Sequence, residues 1–147
     1  MAASAWTIFD RAKYYIGNGT INLSATAPFR LSLHQTAASA NLVGDITVYA
    51  SVASESSGGG YAAATLGAIT WTTGLSAGQM KWDCSDPIFT ASASTLSAVR
   101  YAVIWQSASA GGGPLLCYAA LSASQFDVST SNTLTIQMST NGVFTLT

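Results

Sequence analysis

Charged side chains are scarce in this sequence. Asp, Glu, Lys and Arg make up 7% of its 147 residues, against roughly 25% in an average globular protein. Five basic and six acidic residues leave a formal net charge of −1, so the clustered positive charge that displaces counterions from nucleic-acid phosphates is missing. Nucleic acid is therefore not an expected partner. Because hydrophobic residues reach 49%, charge-driven disorder is excluded as well.

Long apolar runs are also lacking. No uninterrupted apolar segment approaches the roughly 18 residues that a membrane-spanning helix needs, because Ser and Thr are scattered among the aliphatic residues. At the N-terminus the apolar stretch 6–9 precedes the basic residues, which is the reverse of their order in a signal peptide. We therefore expect a soluble protein that has no membrane partner and is not exported through a signal peptide.

The residues that most often carry chemistry are few. His34 is the only histidine, so a Ser/His/Asp site would have to be built around it, and no nucleophile-elbow spacing is present. Together with Cys84 and Cys117 it lacks the short paired spacings of zinc ligands. The sequence thus predicts no catalytic residue, no metal site and no cofactor. We expect both cysteines to be buried free thiols, although their positions leave a disulfide open.

Two further patterns have an ordinary structural interpretation. Asp83 and Asp86 lie beside Trp82, and paired carboxylates near tryptophan are found in glycosidases, but Asp before Pro87 commonly initiates a loop. Turn chemistry is the favoured interpretation. The glycine runs at 58–60 and 111–113 do not lead into a phosphate-binding motif, so they predict loops.

One segment has helical periodicity. Ala5, Phe9 and Ala12 or Ile16 are three to four positions apart and predict an amphipathic helix over 4–16. Ser4 is its expected N-cap, and the glycines that follow at 17 and 19 should end it.

The rest of the chain predicts strands. Segment 29–34 alternates apolar and polar residues, which indicates a half-buried antiparallel strand with His34 on its polar face. The other candidate strands are 46–52, 66–72, 79–84, 98–106, 115–121, 133–138 and 143–146. Asn141 and Gly142 are typical of a type I′ turn and predict a C-terminal hairpin within 133–146.

These elements define the expected fold. A chain of this length forms one compact domain, here spanning residues 1–147. We expect it to be mainly β, an antiparallel β-sandwich of jelly-roll or Ig-like Greek-key type, with one N-terminal helix.

The sequence also resembles a known group of proteins. The segments that carry the resemblance are Trp6-Thr7-Ile8-Phe9-Asp10, Gly19-Thr20-Ile21-Asn22-Leu23, Phe29-Arg30-Leu31-Ser32-Leu33, Ala98-Val99-Arg100-Tyr101-Ala102 and Gly142-Val143-Phe144-Thr145-Leu146. Over nearly the whole chain they resemble a family of small structural proteins of tailed-bacteriophage virions. The resemblance is strongest to a head decoration or cement protein, which stabilises the capsid by bridging its subunits.

This resemblance implies partners rather than a reaction. It implies contacts with the major capsid protein and self-association as dimers or trimers, at the capsid surface, after synthesis in the host cytoplasm. The candidate contact residues are Trp6, Phe9 and Tyr14 in the helix and Gly59 and Gly112 in loops. The alternative is a tail-associated fibre or receptor-binding module in which exposed tryptophans contact host glycans.

Overall fold

The computed structural model describes residues 5–24, 28–40, 42, 46–107 and 112–147. In these ranges the chain is mainly β, with twelve strands and one α-helix. The elements are β1 (Thr7–Ile8), α1 (Asp10–Gly17), β2 (Phe29–His34), β3 (Ala64–Thr65), β4 (Thr70–Thr73), β5 (Met80–Asp83), β6 (Ile88–Thr90), β7 (Leu96–Val99), β8 (Tyr101–Gln106), β9 (Leu115–Ala120), β10 (Phe126–Val128), β11 (Thr133–Thr135) and β12 (Phe144–Leu146). Short 3₁₀ helices occupy Thr36–Ala40 and Tyr49–Ser51.

The strands form antiparallel sheets that pack in a sandwich-like arrangement. One sheet has the order β1-β9-β8-β2-β3 and another the order β12-β5-β4, and two further ladders pair β10 with β7 and β11 with β6. Phe29 on β2 meets Trp82 on β5 with ring centroids 5.1 Å apart, and Trp82 stacks on Phe144 of β12. These rings join the two larger sheets through one core, which confirms the expected mainly β sandwich with one N-terminal helix.

Strand β2 lies inside the five-stranded sheet, between β8 and β3, and is more buried than its pattern predicts. Phe29, Leu31 and Leu33 face the core as expected, but Ser32 and His34 on the opposite face are also fully buried. The prediction of a half-buried strand is therefore wrong. The segment 49–61 covers this second face, and its contacts with His34 are described below.

The helix begins later than its periodicity predicts. Thr7 and Ile8 pair with Tyr118 and Cys117 of β9, and the Phe9 N–H donates to the Leu116 carbonyl at 3.2 Å. Pairing with a long buried strand satisfies these backbone groups, so helical geometry starts only at Asp10. The expected cap, Ser4, lies outside the described residues. The helix ends at Gly17, close to the predicted end.

The predicted C-terminal hairpin is wrong. Strand β11 pairs with β6 and β12 pairs with β5, so segments 133–138 and 143–146 do not pair with each other. Each finds an aromatic partner elsewhere, because Leu134 lies opposite Phe89 and Phe144 lies opposite Trp82. A turn does form here, closed by the hydrogen bond from the Gly142 N–H to the Ser139 carbonyl at 2.8 Å.

The segment 46–52 is not the predicted strand. Its centre forms the 3₁₀ helix Tyr49–Ser51, and only Val48 makes a bridge, to Pro114. The ring of Tyr49 lies parallel to that of Trp105 on β8, with centroids 4.1 Å apart. Because of this stacking, the segment 46–52 crosses the face of the sheet and does not add a strand to its edge.

Candidate functional site

The structure has a shallow groove where its core reaches the surface. The groove encloses about 590 Å³ and is lined by Ile16, Gly19, Ile21, Asn22, Leu23, Ser24 and Trp71. It is built from the end of α1, the loop that follows and strand β4. The Ile21 N–H donates to the Tyr15 carbonyl at 3.0 Å, which folds the loop back against the helix. Trp71 is half-buried and lies opposite the buried Trp82.

Strand β4 forms one edge of the three-stranded sheet. The Gly74 N–H donates to the Gln79 carbonyl at 2.7 Å, which fixes the hydrogen-bonded positions of the β4–β5 ladder. Because these positions alternate in an antiparallel pair, Thr70 and Thr72 direct their backbone groups to β5. The N–H and C=O groups of Trp71 and Thr73 therefore point away from the sheet.

A few charged side chains lie on the helix and the sheet that border the groove. On β5, Lys81 and Asp83 form an ion pair of 3.3 Å. On α1, the Arg11 guanidinium lies 5.1 Å from the ring centre of Tyr14 and 5.5 Å from that of Tyr15. The Tyr14 side chain is 59% exposed. Tyrosine, tryptophan and arginine are the residues most enriched among the energetic anchors of protein interfaces.

The predicted contact residues do not share one surface. Phe9 is only 1% exposed and packs on Tyr118 with centroids 5.0 Å apart, so its assignment as a contact residue is wrong: the pairing of β1 draws it into the core. Trp6 is half-buried in a second groove that residues 137–139 and 141–145 line. Tyr14 alone among the three lies open to solvent.

The two predicted contact glycines are held against neighbouring backbone. Gly59 is buried, and its N–H donates to Ser94 Oγ at 2.9 Å. Gly112 is partly exposed, but a Cβ placed on it would lie 2.8 Å from the Ala50 nitrogen. Gly59 is therefore wrong as a contact residue, although Gly58 and Gly60 beside it are exposed. The loop residue Gly111 lies outside the described ranges.

His34 belongs to a polar cluster with Ser32, Tyr49, Glu55 and Tyr61, in which Ser32 and His34 are fully buried, the two tyrosines are half-buried and Glu55 is exposed. The His34 Nδ1–H donates to the Ala53 carbonyl, 3.1 Å away, which leaves Nε2 to accept from Ser32 Oγ at 2.9 Å. The Tyr61 hydroxyl donates to Glu55 Oε1 at 2.7 Å and accepts from the Leu33 N–H at 2.8 Å. These bonds tie the segment 53–61 to the covered face of β2.

Burial controls the ionisation of this cluster. Burial lowers the pKa of His34, and the hydrogen bond to Ala53 and the charge of Glu55 oppose this only in part. Burial, reinforced by Glu55, raises the pKa of Tyr49. The pKa of Tyr61 is raised by burial, against the hydrogen bond from Leu33. His34, Tyr49 and Tyr61 are thus uncharged at neutral pH.

The Ser32–His34 hydrogen bond has the geometry of a nucleophile and its base, but both residues have an exposed fraction of 0%. A backbone carbonyl rather than a carboxylate orients the imidazole. No substrate atom reaches Ser32 Oγ in this conformation, so the pair acts as an internal connection. The hydrogen bond between Ser32 and His34 was not predicted from the sequence. It could have been, because two polar residues at positions i and i+2 of one strand share a face.

The cysteines are free and buried, which confirms that prediction. Burial, with smaller contributions from Asp83 and Asp86, raises the pKa of Cys84 to about 12. Burial also raises the pKa of Cys117, and the repulsion that a Cys84 thiolate would exert is the second cause. Both thiols are therefore protonated at neutral pH.

The two carboxylates near Trp82 hold backbone groups. Asp83 Oδ1 accepts from the Cys84 N–H at 2.9 Å, and Asp86 Oδ1 accepts from the Met138 N–H at 2.8 Å. The second bond joins the loop after β5 to the segment after β11. Neither is the local turn bond that an Asp before Pro predicts, because the Asp83 bond goes to the adjacent residue and the Asp86 bond spans 52 positions.

Comparisons with known proteins return no match among protein-family models, curated proteins or solved structures. Within the described ranges, no three His, Cys, Asp or Glu side chains are grouped in a way that could hold a metal ion. The same residues include no helix with the length and apolar character needed to cross a bilayer.

Proposed function

We propose that this protein is a structural component of a tailed-phage particle, a head decoration protein that bridges capsid subunits and catalyses no reaction. The observation that supports it best is the exposed Tyr14 with Arg11 stacked on its ring, on a protein otherwise poor in charge. A side chain of this kind loses little conformational entropy on binding and supplies a large contact area. The choice of a tailed-phage particle rests on the sequence resemblance described above.

The charge-poor composition supports dense packing of copies. A net charge of −1 produces little long-range repulsion between neighbouring molecules. Hydroxyl-rich strand surfaces lose less hydration on contact than ionised ones do. If linked copies occupy many capsid sites, weak individual contacts add to slow dissociation of the whole layer.

The function is tested on purified particles. We expect quantitative mass spectrometry to find this chain in hundreds of copies per particle, and a density map to place it on the head. A handful of copies would reject the decoration role, and a location on the tail would favour the glycan-contacting alternative.

The contact surface is tested with the isolated chain. We expect it to bind particles that lack it and to raise the temperature at which their heads rupture. Tyr14→Ser should lower the number of bound copies at a given protein concentration, whereas Ile88→Ser, which replaces another exposed apolar side chain, should not. Equal binding by both variants would remove Tyr14 from the contact surface.

A further inference from the structure

Strand β4 is the longest sheet edge that the described chain leaves open. The edge strands β1 and β3 have two residues each and β12 has three. Strand β7 is as long as β4, but a bridge between Ser57 and Ser97 occupies its other side. An open edge presents unpaired N–H and C=O groups with which another strand can pair.

The usual protections of an exposed edge are missing from β4. Proteins commonly block such edges with charged side chains, proline or a bulge. The residues of β4 are Thr70, Trp71, Thr72 and Thr73, and their register with β5 is continuous. Nothing in the strand itself therefore opposes the addition of a further strand.

The open groups of β4 are arranged symmetrically about Thr72. The outward-facing residues are Trp71 and Thr73, one on each side of it. If a second copy of β4 lies antiparallel and is centred on Thr72, Trp71 of each copy lies opposite Thr73 of the other. Each of these two pairs then exchanges two N–H···O=C bonds. The edge is thus self-complementary, as a twofold interface requires.

The charges and the apolar surface near β4 are compatible with a second copy of the chain pairing along its open edge. No ionised side chain lies on β4, and Lys81 on the neighbouring strand is paired with Asp83, so two copies meet no unpaired like charges. In this register Trp71, which is half-buried in each molecule, packs beside Thr73 of the second copy on the same face of the joined sheet. Pairing therefore covers part of both indole rings.

We propose that the protein forms a twofold-symmetric dimer through β4, with strand order β12-β5-β4-β4-β5-β12 across the joined sheet. Thr72 lies on the twofold axis, where its Cα is about 4.5 Å from that of Thr72 in the second copy. This inference goes beyond the proposed function, because it is decided on purified protein whether or not the chain belongs to a virion.

A charge placed on the axis tests the dimer. Wild-type protein should sediment as a dimer that dissociates on dilution. Thr72→Lys brings two positive charges together, and we expect it to raise the dimer dissociation constant at least about tenfold. Mixing it with an equal amount of Thr72→Glu should restore a mixed dimer. The control is Thr90→Lys, on the exposed side of β6, which should dimerise like the wild type.

Three sedimentation results would overturn the proposal: a wild-type protein that stays monomeric, a Thr72→Lys variant that dimerises normally, or a mixture that remains monomeric. Thr72→Cys gives a second readout, because directly opposed residues at this spacing satisfy disulfide geometry. Under oxidising conditions it should yield covalent dimers much faster than Thr90→Cys, while the native cysteines stay buried. Equal rates for the two variants would also reject the interface.

Discussion

At the scale of single residues, His34 occupies a place where its surroundings oppose protonation. Burial lowers its pKa in the folded chain below 6.5, whereas the unfolded chain titrates near that value. As the pH falls below 6.5, the unfolded chain therefore takes up a proton that the folded chain does not. The free energy of unfolding then decreases, by at most about 1.4 kcal/mol per pH unit, until the folded-state pKa is reached.

This linkage predicts a difference between wild type and His34→Gln. We expect the variant to be less stable at neutral pH, because two buried hydrogen bonds are disturbed, but to lose less stability between about pH 7.5 and pH 5. Urea unfolding at the two pH values measures both quantities. The carboxylates are common to the two proteins, so an equal loss in both would show that His34 does not cause it.

Phe9 and Tyr14 give a second prediction at this scale. Phe9→Ala empties a fully packed site and should lower the free energy of unfolding by about 3–5 kcal/mol. Tyr14→Ala removes an exposed ring and should lower it by less than about 1 kcal/mol. Denaturant unfolding of the two variants separates these roles. Similar losses would contradict the placement of Phe9 in the core.

Which residues lie inside is only partly predictable from the sequence. The apolar residues of β2 follow from alternation alone, because the period of a strand is fixed by its backbone. The burial of Ser32 and His34 depends on a separate segment that covers the sheet from the other side. The sequence pattern of residues 29–34 does not show that another segment packs on this face.

At the scale of elements, the turn at 58–61 is held by close backbone contact. Gly59 has a φ of +64°, and a Cβ placed on it would lie 2.9 Å from the Ser94 carbonyl oxygen. We expect Gly59→Ala to lower the free energy of unfolding by more than about 1 kcal/mol. Gly17→Ala, in the last turn of α1 with no atom within 4 Å, should be neutral or stabilising. Thermal unfolding of both variants provides the measurement.

Element types are more predictable than element partners in this chain. The end of α1 follows from its glycines, the centres of β8 and β9 follow from runs of apolar residues, and β5 follows from alternation of apolar and charged residues. The predicted hairpin is wrong because turn residues show only that the chain reverses. Which strand each arm joins is decided by distant surfaces, here Phe89 for β11 and Trp82 for β12.

At the scale of the whole molecule, the prediction of one domain stays a prediction, and the two buried thiols can test it. Cys84 follows β5 of the three-stranded sheet, and Cys117 lies in β9 of the five-stranded sheet. If the two sheets fold and unfold as one domain, both thiols should resist alkylation in native buffer. Both should then become reactive at the same rate as denaturant is added.

Mass spectrometry of the alkylated peptides measures each cysteine separately. Labelling of Cys84 well before Cys117 would show that the three-stranded sheet opens by itself and would contradict a single cooperative unit. Global unfolding rates measured by fluorescence provide the reference, since both labelling rates should approach them.

The candidate groove belongs to this scale as well and could not be derived from the sequence. Trp71 is recognisable as an aromatic residue in a strand, but its place beside Ile16 and Ile21 depends on how the loop after α1 returns along the sheet. Likewise, the open side of β4 exists only because no other described strand pairs there.

The pairing of β1 with β9 has a consequence for how the protein is made. About 110 residues separate Thr7 from Tyr118, so the first strand leaves the ribosome long before its partner has been translated. At roughly 5 to 20 residues per second, the N-terminal segment waits about 5 to 20 s without its partner strand. During this interval Ile8 and Phe9 lack the strand that covers them, and β1 can join the sheet only after β9 has been translated.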